Sequence, residues 1–377
     1  MASADTTFIS RKARQYSCLP RIGRLEPRSV YLRPLGILWG CLAETAVAEG
    51  VARPLVGRGA YTSCQVILRR NSHYQIGHMT VEAFDLWRSR QSGALVEELG
   101  ELLTNISNIR QSQLAGLDRA PSIVGILNLT PDSFSDGGDY SQVDSAIKRA
   151  RTMFESGASL IDIGGESTRP GATPISSLVE QNRVLPVAEA LLAEGIPVSV
   201  DTYHPDTMEA ACALGVNVIN DVSGFTAYPN SMKVGAASGK TLVLAHSVPL
   251  NIEEVAEFDG EVAVEIYESF LERIKIMEEL GVSKRKIIID PGLGFQKSQE
   301  ENFNTMRWLS ILHGLGCSIM IGASRKFGRL KKGQSPKDRM AGSVAASLSA
   351  AQQGAQLLRV HDVAETQQAL GVWRAMG

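Results

Sequence analysis

Asn128 opens a long, mostly polar stretch, Asn128-Leu129-Thr130-Pro131-Asp132-Ser133-Phe134-Ser135-Asp136-Gly137-Gly138, directly after an apolar run at 122–127. Such an interruption exposes backbone for no benefit unless it binds something. Further along, other apolar runs also end in groups that could do chemistry. One runs into Asp162 and then Gly164-Gly165-Glu166-Ser167-Thr168-Arg169-Pro170-Gly171. Others end at Asp201, at Asn220-Asp221, at His246 and at Asp290. The last two end at Ser324-Arg325-Lys326 and at Arg359-Val360-His361-Asp362.

Asp201 and Asp290 form a carboxylate pair that can hydrogen-bond the donor edge of a flat heterocycle and stabilise positive charge on it. A carboxylate at such a place can also merely cap a helix. Asp290-Pro291-Gly292-Leu293-Gly294, however, is a tight glycine-rich turn rather than a cap sequence. Asn220 offers amide donors and an acceptor, suited to reading a heterocycle edge, while Asp221 beside it reads as structural. Lys326 supplies a point charge and Arg325 a planar fork. Arg359 and His361 alternate about Val360, so a strand there aims both the same way, as an anion clamp would need. Ser167, Thr168 and Arg169, stiffened by Pro170, suit a carboxylate or phosphate. Ser167, Ser223 and Ser324 have no evident His partner in these motifs. No His, Cys and carboxylate set has catalytic-zinc spacing. The chemistry expected is therefore binding and charge stabilisation rather than nucleophilic attack by the chain.

The elements that must position these groups are legible in the alternation of the chain. Strand-like apolar runs lie at 122–127, 159–163, 197–200, 216–219, 241–244, 286–289, 318–321 and 356–360. Helical patterns between them cover 144–155, with Ile147, Ala150 and Phe154 on one face, then 178–193, 262–280, 300–312, 338–352 and 363–375. Short buried runs alternating with helices indicate parallel strands with crossover helices. Eight units over residues 122–377 match a TIM (β/α)8 barrel of roughly 250 residues, whose catalytic face gathers the carboxyl ends of the strands. An open doubly wound sheet competes, but it would carry a Gly-rich dinucleotide turn after its first strand, and none is present.

Residues 35–121 read as a small α+β extension. A short helix over 37–49 stops at Gly50, a strand covers 61–68, and helices cover 81–87 and 95–106. The last carries the stripe Leu95, Leu99, Leu102, Leu103 and Ile106. His73 and His78 read as surface residues. Residues 1–34 carry seven basic residues, Arg11, Lys12, Arg14, Arg21, Arg24, Arg28 and Arg33, against Asp5 and Glu26. A disordered tail is expected there, with an organelle transit peptide as the alternative.

The 377-residue chain has a net charge of -2, which provides no global attraction to nucleic acid or to anionic membranes. No apolar run approaches the ~20 residues of a membrane helix. Cys18, Cys41, Cys64, Cys212 and Cys317 are odd in number, scattered and outside any metal pattern. A reducing compartment follows, cytoplasmic, or mitochondrial if the basic start is a transit peptide.

Taken in order, these motifs resemble the dihydropteroate synthase family, the pterin-binding barrels of folate biosynthesis that sulfonamides inhibit. The resemblance covers residues 122–377. It rests on Gly125-Ile126-Leu127-Asn128, the glycine-rich Gly165 to Gly171 segment, Val200-Asp201-Thr202, Ile219-Asn220-Asp221-Val222-Ser223-Gly224, Asp290-Pro291-Gly292, Ser324-Arg325-Lys326 and Arg359-Val360-His361-Asp362-Val363. Any one of these would be weak evidence alone. The resemblance implies that the amine of p-aminobenzoate displaces diphosphate from 7,8-dihydropterin-6-ylmethyl diphosphate, by a dissociative course. It implies that Asp201, Asn220, Asp290 and Lys326 hold the pterin, with Asp201, Asp290 and Lys326 as the catalytic groups. Asn128, Arg359 and His361 would hold diphosphate, and Asn128 would also reach Mg2+. Thr168, Arg169, Pro170, Phe295 and Ser324 would shape the p-aminobenzoate end, under loops that close over the loaded enzyme. A homodimer is implied as well. Departures from the family pattern are Ala245-His246-Ser247 after the fifth strand, Leu293 and Gln296 in the sixth loop, and Phe327-Gly328-Arg329 after Lys326. Two other readings compete: a methyltetrahydrofolate-binding barrel of a corrinoid methyltransferase, and a degenerate, non-catalytic pterin-binding paralogue. The Asn128 loop and the Arg359/His361 pair argue against the first.

Overall fold

Short runs of branched apolar residues form the strands of the C-terminal region, and nearly every residue in them is buried. The computed structural model describes residues 14–16, 30–70, 73–110, 121–129, 139–167, 172–250, 258–327 and 337–376. Eight parallel strands close into a barrel in chain order. They are β6 (Ser122–Asn128), β7 (Ala158–Gly164), β8 (Val198–Asp201), β9 (Val218–Asp221), β10 (Thr241–Ala245), β11 (Ile287–Asp290), β12 (Ser318–Ile321) and β13 (Leu357–Val360), which returns to β6. The expected TIM barrel is thus present.

Side chains alternate across a strand, so every second residue faces the lumen. The lower lumen is filled by Val124, Leu160, Val218, Val243, Ile288, Met320 and Leu357, which form a cluster of their own. Two residues further along the same strands, the alternation returns Ile126, Asp162, Asn220, Ala245, Asp290, Gly322 and Arg359 to the lumen. An apolar plug therefore lies directly beneath a layer of polar groups. Register sets Asn128 beside Gly164, Gly164 beside Asp201, and Asp201 beside Asn220 on four consecutive strands.

The outer ring holds α4 (Asp139–Glu155), α5 (Ser177–Ala193), α6 (Pro205–Leu214), α7 (Ser231–Ala237), α8 (Glu261–Glu279), α9 (Gln299–Arg307), α10 (Met340–Gln352) and α11 (Val363–Met376). Two of these, α6 and α7, are too short to show a clear apolar stripe in the sequence. The buried stripe of α4 is Ala146, Ala150 and Met153, whereas Phe154 is 39% exposed, which corrects the face expected for that helix. The reason is local shape. Gly125 leaves a dent in the outer face of β6, and the Met153 sulfur fills it, 3.1 Å from where a Cβ would stand. The helix expected over 300–312 also breaks. A capping box between Ser298 and Glu301 starts α9, but from Leu309 to Leu315 the chain tightens into a 3₁₀ segment, stopped by Gly316 in the left-handed region.

The extension is the expected α+β unit. Its elements are β1 (Arg14–Tyr16), β2 (Val30–Trp39), α1 (Gly40–Ala48), β3 (Arg53–Leu55), β4 (Gly59–Arg70), β5 (His73–Thr80), α2 (Val81–Ser89) and α3 (Ala94–Ser107). The sheet runs β1-β5-β4-β2, with β3 also on β4. Residues 37–39, expected to start a helix, instead finish β2, because they pair with 59–61 of β4. β2 begins at Val30, inside the stretch assigned to the basic tail, and Val30, Tyr31 and Leu32 are buried. His78 is exposed as expected, and the His73 side chain lies outside the described residues.

The α3 stripe of Leu95, Leu99, Leu102, Leu103 and Ile106 is buried in one core cluster with barrel residues such as Leu309, Ile311 and Leu312. Polar anchors complete the joint. Arg110 donates to the carbonyls of Cys317 at 3.0 Å and His313 at 3.0 Å. Arg33 lies 3.8 Å over the Trp308 ring, and Trp39 donates to the Gln352 carbonyl at 3.0 Å. Among the described residues, no helix is long and apolar enough to cross a membrane.

Candidate active site

The polar layer of the lumen is organised around one cation. Arg359, in β13, donates through Nε to Asp162 Oδ2 and through Nη2 to Asp201 Oδ2, each at 2.6 Å. Asn220 donates its amide to the same Asp162 oxygen at 3.0 Å. Burial works against the Arg359 charge, but Asp162 and Asp201 outweigh it and hold the guanidinium protonated above its ordinary range. Burial pushes the Asp201 carboxyl up to about 7; Arg359 pulls it down, while Asp162 adds to the rise.

Across the lumen, Asp290 ends β11. Its Oδ1 accepts the Gly292 N–H at 2.8 Å, so the turn that follows is pinned to the carboxylate itself. Burial raises the Asp290 carboxyl, with Lys326 opposing. Lys326 stands in the turn after β12 with its Nζ 4.7 Å from the centre of the Phe295 ring. Burial pushes its amine down to about 8, and Asp290 opposes that too. Gly322 leaves the space between them open: a Cβ there would lie 3.5 Å from Asp290 Oδ2 and 3.8 Å from Lys326 Nζ. The two carboxylates thus face each other with a cation beside each.

Ser324, for which the sequence offers no His partner, has one. Its Oγ lies 2.9 Å from His361 Nδ1 and also accepts the His361 backbone N–H at 3.2 Å. With the hydroxyl donating to Nδ1, the ring proton belongs on Nε2. The pair orients the imidazole. Arg325 does not turn its fork to the lumen. It pairs with Asp362 at 2.9 Å, from a left-handed backbone with φ of 61°. Asp221 is structural, as expected: it accepts from Ser223 N and Oγ at 2.7 Å each and from Phe225 N at 3.1 Å. Asn128, at the end of β6, is half-buried, and its Oδ1 is 3.6 Å from where a Gly164 Cβ would stand. Thr168, Arg169 and Pro170, and the loop from Thr130 to Gly138, lie outside the described residues.

Three sets of residues join the site that sequence reasoning did not assign to it. Asp162 is the first. Its signal was the alternation itself, which puts it in the lumen two residues after Leu160. Glu166 is the second: it accepts from Tyr203 at 2.6 Å and meets His204 Nε2 at 3.2 Å, tying the second loop to the third. Lys297 is the third. Its ammonium reaches His246 Nδ1 at 3.0 Å, the His246 carbonyl at 3.1 Å, and the Gly292 and Phe295 carbonyls at 3.3 Å. Burial and this lysine push His246 down to about 3, so it serves as a neutral acceptor. Of the departures, Ala245 and Leu293 are both buried, and Gln296 has a φ of 47°.

Comparisons with known proteins agree with this fold. Residues 124–361 match the family model described as pterin binding enzyme. The chain is 38% identical over 260 residues to dihydropteroate synthase of Escherichia coli strain K12, covering 68% of this chain and 91% of that one. Among solved structures, a dihydropteroate synthase of Xanthomonas albilineans with 4-aminobenzoic acid is similar with a TM-score of 0.63 and 46% identity, over 69% of this chain and 94% of that chain. A Yersinia pestis dihydropteroate synthase with a sulfonamide drug is similar with a TM-score of 0.61 and 37% identity, over 68% and 94%. The chain belongs to the dihydropteroate synthase family of pterin-binding enzymes.

Proposed function

We propose a division of labour among the strand ends for the dihydropteroate synthase reaction, which this chain catalyses. Asp201 and Asp290 accept hydrogen bonds from the donor edge of 7,8-dihydropterin-6-ylmethyl diphosphate, Asn220 reads the same edge, and Lys326 lies against it. Arg359 holds the diphosphate with the N–H groups that Asp162 and Asp201 leave unused, and His361 adds its Nε2–H. The bond from the methylene carbon to the diphosphate oxygen breaks, and diphosphate leaves with the electron pair. Facing carboxylates stabilise the pterin cation that remains. The amine of p-aminobenzoate then bonds to that carbon and loses a proton. Phe295 and Ser324, with Thr168, Arg169 and Pro170, form the p-aminobenzoate end.

The observation that carries this reading is the pair of opposed carboxylates, each with its own cation, above an apolar plug. That arrangement suits charge stabilisation without a nucleophile from the chain. Mg2+ fits the same face. Among the described residues no cluster of three His, Cys, Asp or Glu could cage a metal. Mg2+ commonly keeps waters and leans on substrate phosphates, so one amide suffices. Asn128 would hold it, over the open ground that Gly164 leaves beside Asp201. When bound, it would neutralise the leaving diphosphate.

Cytoplasmic catalysis is supported by the unpaired cysteines among the described residues, Cys41, Cys64, Cys212 and Cys317. A homodimer through outer-ring helices and the division into tail, extension and barrel rest on the family resemblance and the chain's texture. Diphosphate release from the pterin substrate, with and without p-aminobenzoate, tests the reading. Release and dihydropteroate formation with Mg2+ are expected; no release under either condition would overturn it.

A further inference from the structure

We propose that Asp162 is a positioning residue that locks the diphosphate end of the site to its pterin end; this rests on the roles proposed above for Arg359 and Asn220. Asp162 sits in the lumen one pleat below the strand ends, among buried neighbours. The next lumen-facing residue of β7 above it is Gly164, level with Asn128 and Asp201. Asp162 is only 1% exposed, less than the Asn220 and Asp290 of the same layer, so substrate meets it through the side chains that cover it.

A single oxygen of Asp162 does two things at once. Oδ2 accepts Arg359 Nε at 2.6 Å and the Asn220 amide at 3.0 Å. A carboxylate only accepts, so the Asn220 amide must turn its nitrogen toward Asp162. Its oxygen is then committed to the other side, as the acceptor available to a heterocycle. The guanidinium is fixed at Nε as well. Its Nη2 reaches Asp201 at 2.6 Å, leaving the N–H groups of Nη1 free of these two carboxylates. Without Asp162, Arg359 is free to close on Asp201 as a bidentate pair, which would withdraw that carboxylate from the pterin.

Stability alone does not account for this arrangement. Asp162 Oδ1 is buried without a hydrogen-bond partner among the described residues, and such an oxygen costs the fold free energy. Buried ion pairs are also weak contributors to stability. Orientation of two ligand-binding side chains by one carboxylate is what the contact achieves.

A double-mutant cycle on the full chain tests the proposal, with calorimetric titration of two probes. The first is inorganic diphosphate with Mg2+, and the second is the dihydropterin alcohol that lacks diphosphate. Asp162→Asn keeps the shape of the side chain and should weaken each probe roughly tenfold. In an Arg359→Met background it should cost no further diphosphate affinity, and in an Asn220→Ala background no further alcohol affinity. If Arg359→Met and Asn220→Ala each weaken their own probe but Asp162→Asn is neutral or strictly additive, the positioning role is overturned. If those two variants leave their probes unaffected, the roles of Arg359 and Asn220 fall instead. The unmutated protein provides a check independent of variant folding. The Arg359 Nε–H proton should stay protected from solvent exchange when diphosphate binds; loss of protection would mean that Arg359 lets go of Asp162, and would overturn the lock.

Discussion

At the scale of residues, the site works through groups whose charge is poised rather than guaranteed. In the role proposed for it, Asp201 must be ionised to accept from the pterin, and burial has pushed its carboxyl up to about 7. The role proposed for Lys326 needs it protonated beside Asp290, and burial has pushed its amine down to about 8. The signs work in opposite directions. Below about 7 the carboxylate is lost, and above about 8 the ammonium is lost. A plot of log kcat/KM for the pterin diphosphate against pH should therefore be bell-shaped, with a narrow top between those values. The two limbs belong to the coupled site as a whole. A flat profile from pH 6 to 9 would contradict it. Asp201→Asn should lower kcat/KM on the order of 100-fold or more while the protein still unfolds cooperatively, since Arg359 keeps Asp162 as a partner. If circular dichroism shows that variant unfolded at room temperature, Asp201 is structural.

At the scale of elements, loops at the strand ends are held by groups that reach back to the barrel. The sixth loop is the clearest case. Gly292 has a φ of +66°, and a Cβ there would sit 1.9 Å from the His246 carbonyl oxygen, so only glycine fits. Lys297 then staples that loop to the end of β10 through three carbonyls and a neutral imidazole. Lys297→Met leaves those acceptors short of a donor and should destabilise the protein by about 1–3 kcal/mol in urea unfolding. Because the staple also fixes the Phe295 carbonyl, the KM for p-aminobenzoate should rise several-fold. An unchanged KM would separate the staple from the pocket.

At the scale of the whole molecule, the extension is part of the barrel's own core. Every residue from Leu309 to Leu315 is buried, and β2 and α3 supply much of the cover. Removing residues 1–121 would uncover Trp308, Leu309, Ile311, Leu312 and Leu315 together, a contiguous apolar surface of the kind that drives aggregation. The truncated barrel should therefore be poorly soluble and elute as aggregate in size-exclusion chromatography. A monodisperse, active barrel would show that the extension is dispensable to the fold.

The sequence by itself determined the barrel, the order of its strands and the chemical types at their ends. Those features are written in local periodicity, and a parallel barrel has one place to put the carboxyl ends of its strands. Asp201, Asn220, Asp290, Lys326, Arg359 and His361 were legible in that way. Pairings across the lumen were not. That Arg359 bridges Asp162 and Asp201, that Ser324 meets His361 and that Arg325 is spent on Asp362 depend on distances between residues far apart in the chain. The face of α4 was misread because a glycine on a neighbouring strand, not the helix's own pattern, decides which side packs. The broken helix at 309–315 and the strand β2 escaped for a related reason. Their apolar residues are buried by partners from distant parts of the chain, and only the tertiary structure brings those partners together.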